Sequence, residues 1–378
     1  MNPAPSSERI RAIDWLRGIA VLVMIQCHAL VLLRPELRQS QTTRYLLVVD
    51  GLVAPAFLFS AGFALALLGV RSAASGQRGE RLGRNLRRIA QVLGVASLVN
   101  WMWFPLLREP RWLLRMDVLQ CVGVSLLLAL PFVGMGASRP RVLRGVALVL
   151  ALVTFFLSPL GEAVRGPWAT VLNKSTGSPF PLLPWVGFTW LGVYAGTVAG
   201  EQGRRGLVRA LLFLTLLGAA GWRAATPLRA LYPEHQFYVT NPSNAGDRTL
   251  GVCLVLLVLV GLEAWCAREG EPSRVRRFVE SFGTSSLSAY FFHQALLYFH
   301  VFGLCFNVLW GSRSGWGQYV LLTGLLIGLT HGLCRGVDAV QAAWRKNSPA
   351  WGRSKSPLVR SESPFPRKSP ERRCPRPS

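Results

Sequence analysis

Long apolar runs separated by short arginine-rich gaps set the pattern of this chain. Crossing a bilayer core takes about 20 mostly apolar residues in a helix. Windows of that kind fall at residues 16–33, 45–70, 89–107, 118–136, 146–160, 182–199, 210–222, 250–267, 284–304 and 318–334. The pattern predicts an all-α polytopic membrane protein with about ten transmembrane helices. The seventh window is the weakest: its 13 residues between Arg209 and Arg223 cover only about 20 Å of helix, so both arginines must snorkel. The 32 residues from 281 to 312 contain no Asp, Glu, Lys or Arg. They form either one helix followed by a loop or re-entrant piece, or one long tilted helix.

Three segments follow from this pattern: an N-terminal piece (1–15), a membrane domain (16–335) and a tail (336–378). From about residue 347 the tail is Pro, Ser, Arg and Lys, with Ser-Pro pairs at Ser348, Ser356, Ser363 and Ser369. It has too little to bury and is expected to be disordered. The first apolar run is too long for a cleaved leader and lacks a small-residue exit, so it stays as an anchor.

Composition sharpens the picture. Hydrophobic residues make up 51% and charged residues 16%, which excludes a water-soluble enzyme, a disordered chain or a fibrous repeat. The net charge of +24 follows from arginine placement. Gaps on the N-terminal side of the predicted membrane hold 19 Lys and Arg and the segment from Arg335 adds 11, against 12 on the other side. The positive-inside rule then puts both termini in the cytoplasm. Topology and anionic lipid headgroups account for the charge without nucleic acid. The basic stretch from Arg78 to Arg88 has a second reading, a cradle for a polyanionic cytoplasmic ligand. The seven cysteines show neither C-x-x-C nor zinc spacing, and no metal is expected.

Ionisable groups inside spans mark a site. His28 lies six residues before Arg34, about 9 Å below the outer boundary. Asp50 lies five residues after Tyr45, about 7.5 Å below it. A carboxylate at matching depth on the next helix would orient the imidazole and raise its basicity; alternatively, the pair only fixes packing. His293, 12 residues beyond Ser281, comes to about 18 Å above the inner boundary, and Asn100 reaches a similar height. Asp117 and Gln120 open the fourth span one turn apart. Polar residues of five spans thus gather at one level. His331, near the inner end of the last span, is structural or beside a coenzyme. His300 and His235 belong to the outer side. Loops 161–181 and 223–248 are long enough to contact a ligand, and the first runs into a broken helix start from Pro181 to Gly187 that contains Trp185. Aromatics and amides there suit carbohydrate, and equally suit interfacial anchoring.

Several of these residues sit in a recognisable order. Arg11-Ala-Ile-Asp14-Trp-Leu-Arg17-Gly18 leading to His28 is one element. Asp50 with Pro55-Ala-Phe57-Leu-Phe59-Ser-Ala-Gly62 is the next, followed by Asp117-Val-Leu-Gln120-Cys-Val-Gly123. Pro184-Trp185-Val-Gly187 and Gly283-Thr-Ser-Ser-Leu287-Ser-Ala-Tyr290-Phe-Phe-His293 complete the set. The chain from residue 11 to about 335 resembles the transmembrane acyltransferase superfamily. That superfamily comprises the heparan-alpha-glucosaminide N-acetyltransferase catalytic domain with its bacterial relatives, and the acyltransferase-3 family. His28, 11 residues after Arg17, occupies the position of the acyltransferase-3 histidine. The animal heparan enzyme has asparagine there and its histidine in the following loop, whereas loop 34–45 here has none.

The resemblance implies transfer of an acetyl or other acyl group from acyl-CoA, bound from the cytoplasm, to a hydroxyl or amine of a carbohydrate-like acceptor at the outer face. His28, Asp50 and His293 are the catalytic candidates. Asn100, Asp117, Gln120 and Trp185 are the substrate-binding candidates, with Asn100 and Gln120 as oxyanion donors. Arg17, Arg84, Arg87 and Arg88 are the candidates for the phosphates of acetyl-CoA. Direct general-base transfer and an acyl-histidine intermediate both remain open. The compact form, without the extra luminal domain of the animal enzyme, suggests a bacterial inner membrane, and a homodimer is compatible with it. The competing reading is a transporter of a lipid-linked sugar or small anionic metabolite, although no inverted repeat of broken helices is visible. A catalytically inert membrane scaffold is a third.

Overall fold

The computed structural model describes residues 9–103, 115–267, 273–299 and 304–347, and among them all regular structure is helical. The main helices are α1 (Arg11–Ala29), α2 (Gln41–Asp50), α3 (Val53–Ala74), α4 (Arg78–Trp103), α5 (Val118–Gly136) and α6 (Pro140–Gly161). They continue with α7 (Leu182–Arg223), α8 (Pro242–Cys266), α9 (Arg274–Thr284), α10 (Ser286–Tyr298) and α11 (Trp316–Asn347). The chain forms two compact units, Met1–Cys334 and Arg335–Ser378. In the second, an Arg335–Asp338 ion pair spans one turn of helix at 3.9 Å.

Among the described residues, seven helical segments are long and apolar enough to cross a membrane. Eight of the ten predicted windows fall in these seven segments and two fall elsewhere. Two of the eight, 182–199 and 210–222, share α7, which is a helical hairpin. Gly203 has φ 65° and ψ −151°, a conformation a side chain would oppose, and Tyr194 and Phe213 on the two arms meet at 5.7 Å. The described part of the window 89–107 lies in α4, whose first half is strongly charged, and the rest falls outside the described residues. The window 284–304 holds α10, only 13 residues long. Of the two expectations for 281–312, the structure shows the first: α10 ends at Tyr298, and a short helix, Phe306–Trp310, precedes α11.

Helix starts are built from local chemistry. Asp117 caps α5 through a capping box with Gln120, Asn241 and Pro242 open α8, and Ser273 accepts from Arg276 N at the start of α9. The start of α1 has no side-chain cap of its own. The Glu263 carboxylate of α8 supplies one, accepting from Arg11 N at 2.8 Å and Ala12 N at 3.1 Å. A carboxylate there also complements the positive end of the helix dipole. Arg204, in the α7 hairpin turn, pairs with the same carboxylate at 3.5 Å.

The outward faces are apolar. On α6, Val149, Val153, Phe156, Leu157 and Leu160 are exposed, while Leu143, Ala147, Ala151, Phe155 and Ser158 are buried at helical spacing. On α11, Leu321, Leu325, Leu329 and Leu333 form a similar exposed stripe. Such surface is stable against lipid and costly against water. This is an integral membrane protein.

Between lipid-facing helices the driving force is close packing, which small residues permit. The first arm of α7 lies on α3 so tightly that a Cβ at Gly192 would come within 2.0 Å of Phe59 O, and one at Gly62 within 2.1 Å of Thr189 O. Gly192→Ala is therefore expected to lower stability by about 2 kcal/mol or more, visible as a drop in melting temperature in detergent. Gly261→Ala, with no atom within 4 Å of the added carbon, is expected to leave it unchanged.

Candidate active site

The site is assembled by α1, α9 and α10. Helix α9 lies against α1 in the opposite sense: a Cβ at Gly18 would meet Val279 O at 2.1 Å, and one at Gly283 would meet Asp14 O at 2.0 Å. The chain then breaks at Ser285 (φ −102°, ψ 25°) and α10 departs with Ser286 at Arg17. Arg17 Nη2 donates to Ser286 Oγ at 2.7 Å. Further along, His28 Nδ1 lies 2.9 Å from His293 Nε2, with the rings parallel to within 3° and their centroids 5.1 Å apart. Gln294 Nε2 is 3.0 Å from His28 Nδ1 and 3.2 Å from His293 Nε2. His293 Nδ1 is 2.8 Å from Ala289 O. Tyr298 donates to His28 O at 3.3 Å. His293 is fully buried, whereas His28 is half-buried.

The expected partnership of His28 with Asp50 is not formed; the ring nitrogen meets His293 and Gln294 instead. Asp50 ends α2, and neither of its carboxylate oxygens, both enclosed, has a hydrogen bond of ordinary geometry. The Cys27 thiol beside it is a weak donor. Helical rise predicts height but not azimuth, and azimuth separates these two residues.

The other polar candidates are drawn into the scaffold. Gln120 Nε2 donates to Ala96 O at 2.9 Å while its Oε1 accepts from Asp117 N at 3.2 Å. Asn100 Nδ2 donates to Arg115 O at 3.1 Å. Asp117 accepts from Val118 N at 2.7 Å and from the Tyr290 hydroxyl at 3.2 Å, tying α5 to α10. Trp185 is buried, with Phe180 edge-on at 4.9 Å and the Arg248 guanidinium 5.1 Å above its ring. Gln120 thus commits its amide oxygen and one amide N–H to the scaffold.

Arginines collect at the Arg11 end. Arg17 is largely covered, with an 18% exposed side chain, and Arg88 is close enough for the two charges to repel. Arg81 feels Arg84 and Arg88 in turn. Arg84 pairs with Glu80 at 3.2 Å, and Arg84, Arg87 and Arg88 are exposed. Among the described residues, the counter-charge on Arg17 is Asp14, 4.0 Å away, and Asp14 is already engaged by Arg9 at 2.8 Å. Arg17 and His28 are 11 residues apart in one helix. That is about three turns, so both lie on nearly the same face, roughly 16 Å apart.

The remaining histidines are accounted for separately. His331 bonds Ser281 Oγ at 3.0 Å and packs on Phe278 and Phe282, a structural role. His235 bonds Pro233 O and Asn241 within its loop. His300 and the Ser-Pro tail fall outside the described residues. Sequence reasoning missed Ser286, Gln294 and Tyr298. Their sequence signal was position alone, on the helix that carries His293.

The fold and site define a polytopic helical membrane protein organised around a histidine pair on its first and tenth helices. The catalytic-domain model of heparan-alpha-glucosaminide N-acetyltransferase matches residues 9–222, more than half of the chain, and the chain belongs to that family. The match includes Arg17, His28, Asp50, Asn100, Asp117, Gln120 and Trp185; His293 and Gln294 lie beyond it. A search of curated proteins finds no match.

The capping geometry makes Asp117 and Gln120 stability residues. Asp117→Ala and Gln120→Ala are expected to cost about 1 kcal/mol each and to lower the melting temperature. Unchanged melting with lost ligand binding would return both to the substrate site.

Proposed function

We propose that the protein is a membrane acetyltransferase that moves an acetyl group from acetyl-CoA to a hydroxyl or amine of a sugar-like acceptor, with His28 as the group that manages the proton. One observation carries this reading beyond family membership: Arg17 and His28 share one face of α1 about 16 Å apart. An extended pantetheine arm spans on the order of 15–20 Å. Phosphates held by Arg17 and Arg88, with Arg84 and Arg87 at the rim, would place the thioester beside the imidazole.

His28 Nε2 takes the proton of the acceptor O–H or N–H as its lone pair attacks the thioester carbonyl carbon. The carbon–sulfur bond then breaks, and the leaving thiolate takes the proton from His28. Asp50, with two buried oxygens lacking ordinary hydrogen bonds, is suited to accept from the hydroxyl or amino groups of the acceptor. Termini in the cytoplasm, as the arginine asymmetry suggests, would bring the donor from inside and the acceptor from outside, in a bacterial inner membrane.

Purified protein with acetyl-CoA is expected to release free thiol faster when an amino sugar or other sugar is added. His28→Ala should abolish that turnover, by about 100-fold or more, without changing the melting temperature. Loss of folding in place of turnover would make His28 structural, and thiol release absent from the wild type would favour a transporter.

Reversal of charge at Arg84, Arg87 and Arg88 should raise KM for acetyl-CoA and leave acceptor KM unchanged. If both constants stay constant, the basic helix start is only a topological signal.

Sidedness is tested in sealed vesicles of known orientation, with acetyl-CoA on the terminal side and an impermeant acceptor opposite. Transfer is expected across the membrane; transfer only when both share one compartment would overturn the two-sided arrangement.

A further inference from the structure

The hydrogen bonds behind His28 form a chain with a definite direction. A carbonyl oxygen can only accept, so the 2.8 Å contact of His293 Nδ1 with Ala289 O puts the proton of neutral His293 on Nδ1. Its Nε2 is then a lone pair. The 2.9 Å contact between that nitrogen and His28 Nδ1 is a hydrogen bond only if His28 Nδ1 carries a proton and donates it. His28 Nε2 is left bare. Gln294 Nε2 stands 3.2 Å from His293 Nε2 and 3.0 Å from His28 Nδ1; with His28 Nδ1 protonated it donates to the His293 lone pair only, and the 3.0 Å approach to His28 is not a hydrogen bond.

We infer that His293 is a positioning residue: through the Ala289 carbonyl it fixes His28 in the Nδ1–H tautomer and so presents His28 Nε2 to the reacting groups. This rests on the proposed acetyl transfer and assigns its second histidine a role distinct from contact with substrate. Burial agrees, because His293 has 0% exposure and stands behind the half-buried His28. The arrangement does with a neutral acceptor what a carboxylate does in a hydrolase triad, setting tautomer and ring orientation. It differs in charge. When His28 takes a proton, its Nδ1–H still has an acceptor, but no anion in the relay pairs with the imidazolium. The proton is therefore held loosely and is readily passed to the leaving thiolate. A second proton on the pair would have to enter at His293 Nε2 and would break the bond that orients His28.

The test reads the tautomer directly. The full-length protein contains five histidines and is labelled with ¹⁵N in the imidazole rings. In detergent at a pH where the rings are neutral, the spectrum should show His28 with a protonated Nδ1 and a bare Nε2, the signals being assigned by their loss in His28→Asn. His293→Leu keeps the bulk but removes the acceptor. It should shift His28 toward the Nε2–H form that unconstrained imidazole favours, and lower kcat about 10- to 100-fold with KM for acetyl-CoA unchanged. His293→Gln, whose amide oxygen can stand near the lost Nε2, should recover part of kcat. A wild-type His28 protonated at Nε2, or a His293→Leu protein with wild-type kcat, overturns the inference. If His293→Leu does not fold, the wild-type spectrum alone decides. Failure of the functional reading looks different: the assigned tautomer would be present in a protein that transfers no acetyl group.

Discussion

Backbone-to-backbone contact between helices is the constraint on which this structure depends. Lipid tails are as apolar as the side chains they meet, so apolar burial alone gives helices little reason to associate. Contact without intervening side chains supplies one through dispersion forces. At Gly18 and Gly283 the contact fixes α1 against α9, and that crossing decides where α10 departs. A residue with any side chain at either position would separate the helices, and His28 and His293 could no longer meet at 2.9 Å. The chemistry of the site is downstream of two missing methyl groups.

Charge is handled at the same end of the bundle by a single well-placed acid. Glu263 caps α1 and pairs with Arg204, so one carboxylate joins α1, the α7 hairpin and α8. Among the described residues, Arg17 has only a distant share of Asp14 as its counter-charge. The excess positive charge beside Arg17 and Arg88 is what the proposed function assigns to the phosphates of the donor.

The apolar pattern made the helices legible, and depth arithmetic picked out His28 and His293 from opposite ends of the chain. Hydrophobic length and helical rise are one-dimensional quantities, which a sequence carries directly. The pairing of His28 with Asp50 failed because it needed rotation about each helix axis, which rise does not contain. Asp117 and Gln120 were legible as polar and one turn apart, yet that spacing is also the capping-box signature, and the backbone claimed both. The hairpin in α7 was half visible. The short seventh window signalled something irregular, but only the left-handed Gly203 turns two windows into the arms of one helix. Gln294 carried no pattern of its own, since its role comes from the helix it shares with His293.

The histidine contact also has a consequence in time. Its two residues are separated by 265 positions, and chains are synthesised at about 5–20 residues per second. His28 therefore enters the bilayer roughly 13–50 s before its partner exists. Throughout that interval the first helix carries an unpaired imidazole at depth, tolerable because a neutral ring is far cheaper to bury than a charge. Under the proposed function, the His28 ring gains the contact that orients it only once α10 packs on α1.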